Sequence, residues 1–196
     1  MKVTLENARI SFTQNLFRAG SFQPEQPPKY GSTFIIEPGS KSEKAMKKAI
    51  SDVANEKWAS KGQAIMKQLV ASGKVCLRSG DEKTNYDGFE GNRFVSTSSK
   101  KRPTVVDRDR SPLTEEDGRV YPGCYVNAII EVWPQDNQFG KRINAELTGV
   151  QFVKDGEPLG GGAAPATEDD FPKLDGDEEP AAASDDWDTS SEDDPW

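Results

Sequence analysis

The chain has 196 residues, of which 25 are basic and 33 acidic, and it carries a formal net charge of −8. Its length suits one folded domain with appendages, and since no apolar run is long enough to span a bilayer we expect neither a membrane segment nor a signal peptide. The absence of histidine excludes Ser–His and Cys–His nucleophile pairs and histidine-ligated metal sites, while Cys76 and Cys124 form no CxxC motif and are expected to be reduced thiols.

The first predicted element is a bulged strand. Residues 3–5 and 8–12 alternate apolar and polar side chains, and this alternation changes phase around Asn7. One extra residue in a strand of an antiparallel pair produces such a shift. A second strand is predicted over residues 32–37, which are rich in apolar and β-branched side chains.

A helical insertion is predicted over about residues 41–71. Its first half carries apolar residues at helical spacing, namely Met46, Ala49, Ile50 and Val53. Ser40 and Glu43 form a capping-box pattern at its start. A break near residues 60–62 is expected to divide the segment into two helices, and Gly73 is placed to end the second one.

The remaining predicted elements are short strands. They cover residues 75–78, 94–97 with 104–106, 124–133 and 143–153. The total is about five or six strands separated by turn signals, which is the number expected of a small sheet or barrel. We predict a mainly β fold, best described as a five-stranded OB-fold (Greek-key) barrel with a helical insertion; another small barrel would show the same periodicity.

The domain is predicted to end at residue 159. A linker of Gly, Ala and Pro follows over residues 160–166, and the acidic tail, residues 167–196, has too few large apolar side chains to offset chain entropy and is expected to be disordered. Residues 161–196 contain thirteen acidic residues and one basic residue, whereas residues 1–160 contain 24 basic and 20 acidic ones. The net charge therefore hides a mildly basic domain suited to an anionic partner.

Basic and aromatic residues alternate along this domain. Grooves for single-stranded nucleic acid combine cations that follow the phosphates with aromatic faces on which bases stack. The candidate DNA-binding residues are Lys29, Tyr30, Arg78, Tyr86, Phe89, Arg93, Phe94, Lys100, Lys101, Arg102, Arg108 and Tyr121. Each aromatic residue among them is also a candidate for the core, and each charge could be merely solvated.

Several segments resemble a bacteriophage single-stranded DNA-binding protein family, in the order that the family shows. They are KYGSTF at 29–34, LRSGDE at 77–82, SSKKRP at 98–103 with residues 106–107, YPGCYVNA at 121–128, GVQ at 149–151 and DGEPLG at 155–160. The resemblance implies an OB-fold domain that binds single-stranded DNA largely without sequence preference, in phage DNA replication or recombination. It also implies a location in the cytoplasm of the infected bacterial host. We expect no enzymatic activity and no cofactor, because the sequence has no histidine and neither a P-loop nor a dinucleotide fingerprint.

The last residues suggest a second role for the acidic tail. Acidic residues before a terminal aromatic, here Asp193, Asp194 and Trp196, resemble tails that recruit replication partners, and Trp187 stands in a similar acidic setting. A tryptophan can be a buried anchor, and carboxylates suit a basic rim on the partner. The same carboxylates are expected to compete with DNA for the basic domain.

Two alternatives remain at this point. A carboxylate-metal nuclease needs only clustered oxygens, for which the candidates are Asp81, Glu82, Asp87, Glu90, Asp107 and Asp109. An interaction protein, in which the tail mimics nucleic acid and the domain is a scaffold, would not bind DNA without the tail. Oligomeric state is left open by the sequence.

Overall fold

The computed structural model describes residues 1–21 and 26–160, and all of them belong to one compact unit that spans Met1–Ala164. The tail, most of the linker and the candidate partner-binding residues lie outside the described residues. The described chain forms seven strands and two α-helices: β1 (Lys2–Ser11), β2 (Thr33–Ile36), α1 (Lys41–Trp58), α2 (Gly62–Ala71), β3 (Leu77–Ser79), β4 (Arg93–Ser96), β5 (Thr104–Val106), β6 (Tyr125–Asn137) and β7 (Gly140–Lys154). The predicted mainly β fold with a helical insertion is confirmed.

The strands form one open sheet in the order β3-β4-β2-β1-β6-β7-β5. Neighbouring strands are antiparallel, except that β5 is parallel to β7. The sequence predicts a five-stranded barrel, whereas this sheet has seven strands and stays open. Its two arms meet at an isolated bridge between Val75 and Ile143 and at a hydrogen bond from the Ser98 N–H to the Ala145 carbonyl, and these contacts do not form a continuous ladder.

The predicted bulge in β1 is confirmed. The register of β1 on β6 shifts between Leu5 and Ala8, and Asn7 has a φ of 49° with its N–H donating to Oδ1 of Asn127 at 3.0 Å. The strand ends one residue before the sequence pattern indicates. Phe12 has a φ of 54°, so its side chain leaves the alternation of the strand.

The helical insertion is held by its predicted cap. Oγ of Ser40 accepts a hydrogen bond from the Glu43 N–H at 3.2 Å, while the Glu43 carboxylate accepts from the N–H of Gly39 at 2.7 Å. A short 3₁₀ turn separates α1 from α2, and Gly73 follows α2 with a φ of 64°. No helix in the described part of the chain is long and apolar enough to cross a membrane.

The sheet buries a different cluster on each face. Phe34 and Val95 belong to the main core beneath the helices. Because side chains alternate along a strand, their neighbours Ile35 and Phe94 lie on the opposite face of the sheet. The second cluster contains Ile35, Phe89 and Phe94, with Phe12 and Leu159 packed against it. This second face carries the candidate site.

Candidate nucleic-acid interface

The site is built on a row of side chains that crosses four strands. Arg9 of β1 pairs with Ile35 of β2, Ile35 with Phe94 of β4, and Phe94 with Arg78 of β3. Two arginines thus flank an apolar strip on the face away from the helices. The guanidinium of Arg78 lies over the Phe94 ring at 5.4 Å.

The segment after β3 covers this strip and adds a cation among aromatic rings. Nζ of Lys83 lies 4.5 Å from the centroid of the Phe12 ring and 5.1 to 5.5 Å from the rings of Tyr86, Phe89 and Phe94. Burial, and then the charge of Arg78, lower the pKa of Lys83 below its ordinary value. Such cation–π contacts stabilise a partly desolvated ammonium.

A groove of about 360 Å³ opens beside this cluster and is called the aromatic groove here. Its lining residues are Phe12, Gly31, Ser32, Thr33, Lys83, Tyr86, Ser96, Thr97 and Ser98. Tyr86 is 51% exposed and meets Phe12 edge-on at 5.0 Å. The groove therefore offers an accessible ring, a cation and several hydroxyl groups to one ligand.

Two further predicted segments meet at one end of the aromatic groove. The backbones of Tyr30 and Ser99 exchange hydrogen bonds of 2.8 and 2.9 Å, next to the lining residues Gly31 and Ser98. The cations Lys100, Lys101 and Arg102 follow directly and are exposed. Lys29 is next to Tyr30 and is held by backbone bonds to Gly20. The fold thus brings residues 29–30 and 100–102 together, about 70 positions apart in sequence.

Three predicted residues lie elsewhere. Arg93 projects from the other face of β4, where its Nε lies 3.4 Å from a carboxylate oxygen of the buried Glu43. Arg108 lies after β5, where its carbonyl accepts a hydrogen bond from Gln151. The Tyr121 hydroxyl lies 3.0 Å from the Gly156 carbonyl, and burial is the largest cause of its raised pKa.

Phe89 and Phe94 are in the predicted place but are fully buried. Their rings are 5.5 Å apart in an edge contact and leave no face open to a base. Phe89 and Phe94 are therefore core residues that support the groove by packing, and they are not placed to stack on bases.

Phe12 is absent from the basic and aromatic series of the sequence, and Lys83 stands in that series but not among the candidate DNA-binding residues. The strand alternation places Phe12 with Ile10, and only its positive φ turns it to the second face. Lys83 had a usable signal, because it stands three residues before Tyr86, and a turn with a 3.0 Å hydrogen bond from the Tyr86 N–H to the Lys83 carbonyl joins the two.

Two of the carboxylates proposed for a metal site, Asp81 and Glu82, have other partners. Asp81 accepts hydrogen bonds of 2.9 Å from Ser79 and from the Gly91 N–H, and Glu82 pairs with Arg78. Among the described residues, no group of three or more Asp, Glu, Cys or His side chains is placed to hold a metal ion.

The open β sheet and its helical insertion belong to the OB-fold class. A family model described as the single-stranded DNA-binding protein of Enterobacter phage Enc34 matches residues 1–181. The chain belongs to this family. A protein named p50 of Acyrthosiphon pisum secondary endosymbiont phage 1 is 40% identical over 173 residues, covering 86% of this chain and 92% of that protein.

Solved structures agree with this assignment. The single-stranded DNA-binding protein of bacteriophage Enc34 in complex with single-stranded DNA superposes with a TM-score of 0.65 at 28% identity, covering 80% of this chain and 88% of the other. The single-stranded DNA-binding protein gp2.5 of bacteriophage T7 has a TM-score of 0.55 at 13% identity, covering 93% and 99%. At that identity the second similarity shows a shared fold alone.

Proposed function

We propose that this protein binds single-stranded DNA in the aromatic groove, largely without sequence preference. The main support for this proposal is the position of Lys83 among four aromatic rings. Lys83 lines the aromatic groove together with Tyr86, whose side chain is half exposed. A ring face can stack on any base, and a cation binds any phosphate. The family to which the chain belongs supports the same function.

The segments at the end of the aromatic groove extend this interface. Tyr30 offers a second ring, and Lys29 with the exposed cations at 100–102 offers charge for the phosphates. Among the described residues, none of Lys29, Lys100, Lys101 and Arg102 takes part in an ion pair. These charges can therefore replace counterions on the DNA without first breaking an internal pair.

Fluorescence anisotropy with a labelled oligo(dT) tests this function. We expect the full chain to bind, with an affinity that falls linearly with salt on a double-logarithmic plot, and to prefer single strands over a duplex of equal length. A chain without residues 161–196 must also bind, since the groove lies wholly in the domain. Absence of binding by this shortened chain would support the scaffold alternative instead.

The acidic tail is proposed to compete with DNA for the basic domain. Residues 161–196 contain thirteen acidic residues, and residues 1–160 have an excess of four basic groups. Attraction between opposite charges is screened as salt rises. Deleting residues 161–196 should tighten binding to single-stranded DNA at low salt and change it little at high salt. Equal affinity of both chains at low salt would contradict the competition.

The tail is also proposed to recruit proteins of phage replication or recombination in the host cytoplasm. Trp187 and Trp196 are the anchors, and Asp193 and Asp194 supply the adjacent charge. Replacing both tryptophans by alanine should abolish co-purification of these proteins from infected cells but keep the competition with DNA. Retention of the same partners by the variant would refute the anchoring role.

We further propose that the protein acts as a binder without catalysis. The carboxylates near the aromatic groove are engaged in hydrogen bonds and an ion pair, as Asp81 and Glu82 show. Incubation with single-stranded and branched DNA in the presence of Mg²⁺ or Mn²⁺ should leave both substrates intact. Cleavage that follows the protein through purification would overturn this view.

A further inference from the structure

A second, smaller cleft lies where the two arms of the open sheet meet, and we call it the seam cleft. Val75, just before β3, forms a parallel bridge with Ile143 of β7, and the Ile143 N–H donates to the Lys74 carbonyl at 3.1 Å. The Ser98 N–H donates to the Ala145 carbonyl, also at 3.1 Å. Backbone hydrogen bonds from three segments therefore fix the walls of the cleft.

The seam cleft has a volume of about 140 Å³. Its polar lining consists of Lys74, Arg78, Ser96, Ser98, Arg142 and Asn144, and none of the described acidic residues lines it. Lys74 and Arg142 are exposed, and neither forms an ion pair within the described residues. Two free cations beside hydroxyl and amide groups suit an anion such as a phosphate.

The seam cleft lies next to the aromatic groove. Ser96 and Ser98 line both of them. Within residues 1–21 and 26–160, no aromatic side chain lines the seam cleft. The aromatic groove therefore offers the faces for bases, and the seam cleft offers charge and hydrogen bonds. Single-stranded DNA that leaves the aromatic groove would pass Ser96 and Ser98, and its phosphates would then reach Lys74 and Arg142.

We propose that the seam cleft binds the phosphates of the single-stranded DNA that extends beyond the aromatic groove, with Lys74 and Arg142 as the contacting cations. This inference rests on the proposed function and lengthens its binding path across the gap of the open sheet. Neither residue belongs to the basic and aromatic series of the sequence. They lie at one cleft because Val75, just before β3, forms a bridge with Ile143 of β7.

The test is a salt titration of oligo(dT) binding by the full chain and by a Lys74→Gln, Arg142→Gln double variant. The matched control is Lys44→Gln with Lys67→Gln, which removes the same charge from exposed lysines in α1 and α2. Loss of two contacts on a single strand should make the slope shallower by about 1.4, which corresponds to about 25-fold weaker binding at 0.1 M salt if the curves converge at 1 M.

The outcomes separate the inference from the proposed function. The inference is supported if the seam variant loses slope and affinity while the control keeps both, and if the loss appears only with oligonucleotides long enough to leave the aromatic groove. It is overturned if the seam variant matches the control, or if the loss is the same with the shortest oligonucleotide that binds. Failure of the unaltered chain to bind would instead refute the proposed function itself.

Discussion

Replacing Tyr86 by alanine removes the most accessible ring of the aromatic groove. Tyr86 is 51% exposed, whereas Phe89 and Phe94 behind it are buried. Stacking of one base contributes about 1–3 kcal/mol, which corresponds to about 5- to 150-fold in the dissociation constant. We therefore expect Tyr86→Ala to weaken binding to oligo(dT) by a factor in this range, and Tyr86→Phe to stay close to the unaltered chain.

The same change should leave the domain folded. The edge contact of Tyr86 with Phe12, at 5.0 Å, is of a kind worth about 0.5–1.5 kcal/mol. This is well below the stability of about 5–15 kcal/mol that small domains have. A thermal unfolding curve confirms folding before affinity is compared.

Phe139 offers a matched control for the loss of an exposed ring. It is 79% exposed in the turn between β6 and β7, and it does not line the aromatic groove. Fluorescence anisotropy at fixed salt should show no change for Phe139→Ala. A stacking role for Tyr86 is refuted if Tyr86→Ala binds like the unaltered chain, or if Phe139→Ala loses as much affinity as Tyr86→Ala.

Three further predictions concern charge and backbone. Because burial lowers the pKa of Lys83, this ammonium loses its proton below pH 10.5 as the pH rises, so the affinity for oligo(dT) should fall while the stability of the unliganded domain increases. Lys83→Arg should abolish the fall in affinity. If Lys83→Arg has the same pH profile as the unaltered chain, Lys83 is not the titrating group that contacts DNA. Hydrogen bonds from Lys47 and the Gly39 N–H lower the pKa of Glu43, so the ionised carboxylate stabilises the fold above about pH 4.5, and this stabilisation is lost as the pH falls further. Glu43→Gln should therefore lower the free energy of unfolding in urea by about 1–3 kcal/mol at pH 7. A difference between the two proteins that persisted in acid would contradict this. A Cβ at Gly80 would overlap the Phe89 carbonyl, so Gly80→Ala should reduce both thermal stability and DNA affinity; normal values of both would show that the segment adapts freely.

The regular elements follow from local patterns in the sequence. The helical spacing from Met46 to Val53 and the Ser40 cap define α1, and the change of phase at Asn7 reveals the bulge. In each case the physical cause lies within a few residues of the signal. Strand alternation likewise explains why Phe94 and Val95 enter different clusters.

The candidate site is less predictable because distant segments build it. Lys83 is surrounded by rings from three parts of the chain, residues 12, 86–89 and 94, and no local pattern reports that meeting. The sequence selects Arg93 because it is basic and adjacent to Phe94, but Arg93 does not lie at the aromatic groove. Neighbouring residues of a strand point to opposite faces, and Arg93 pairs with Glu43 on the other face.

Photo-crosslinking tests the location of the bound strand most directly. Oligonucleotides containing 5-iodouracil are bound to the full chain, irradiated and mapped by mass spectrometry. We predict crosslinks at Tyr86 and Tyr30, on the aromatic groove and at its end, with loss of the first in Tyr86→Ala. Trp133 of β6 and Phe139 are exposed aromatic residues that do not line the aromatic groove. Crosslinks confined to these two, with none at Tyr86 or Tyr30, would contradict the proposed interface.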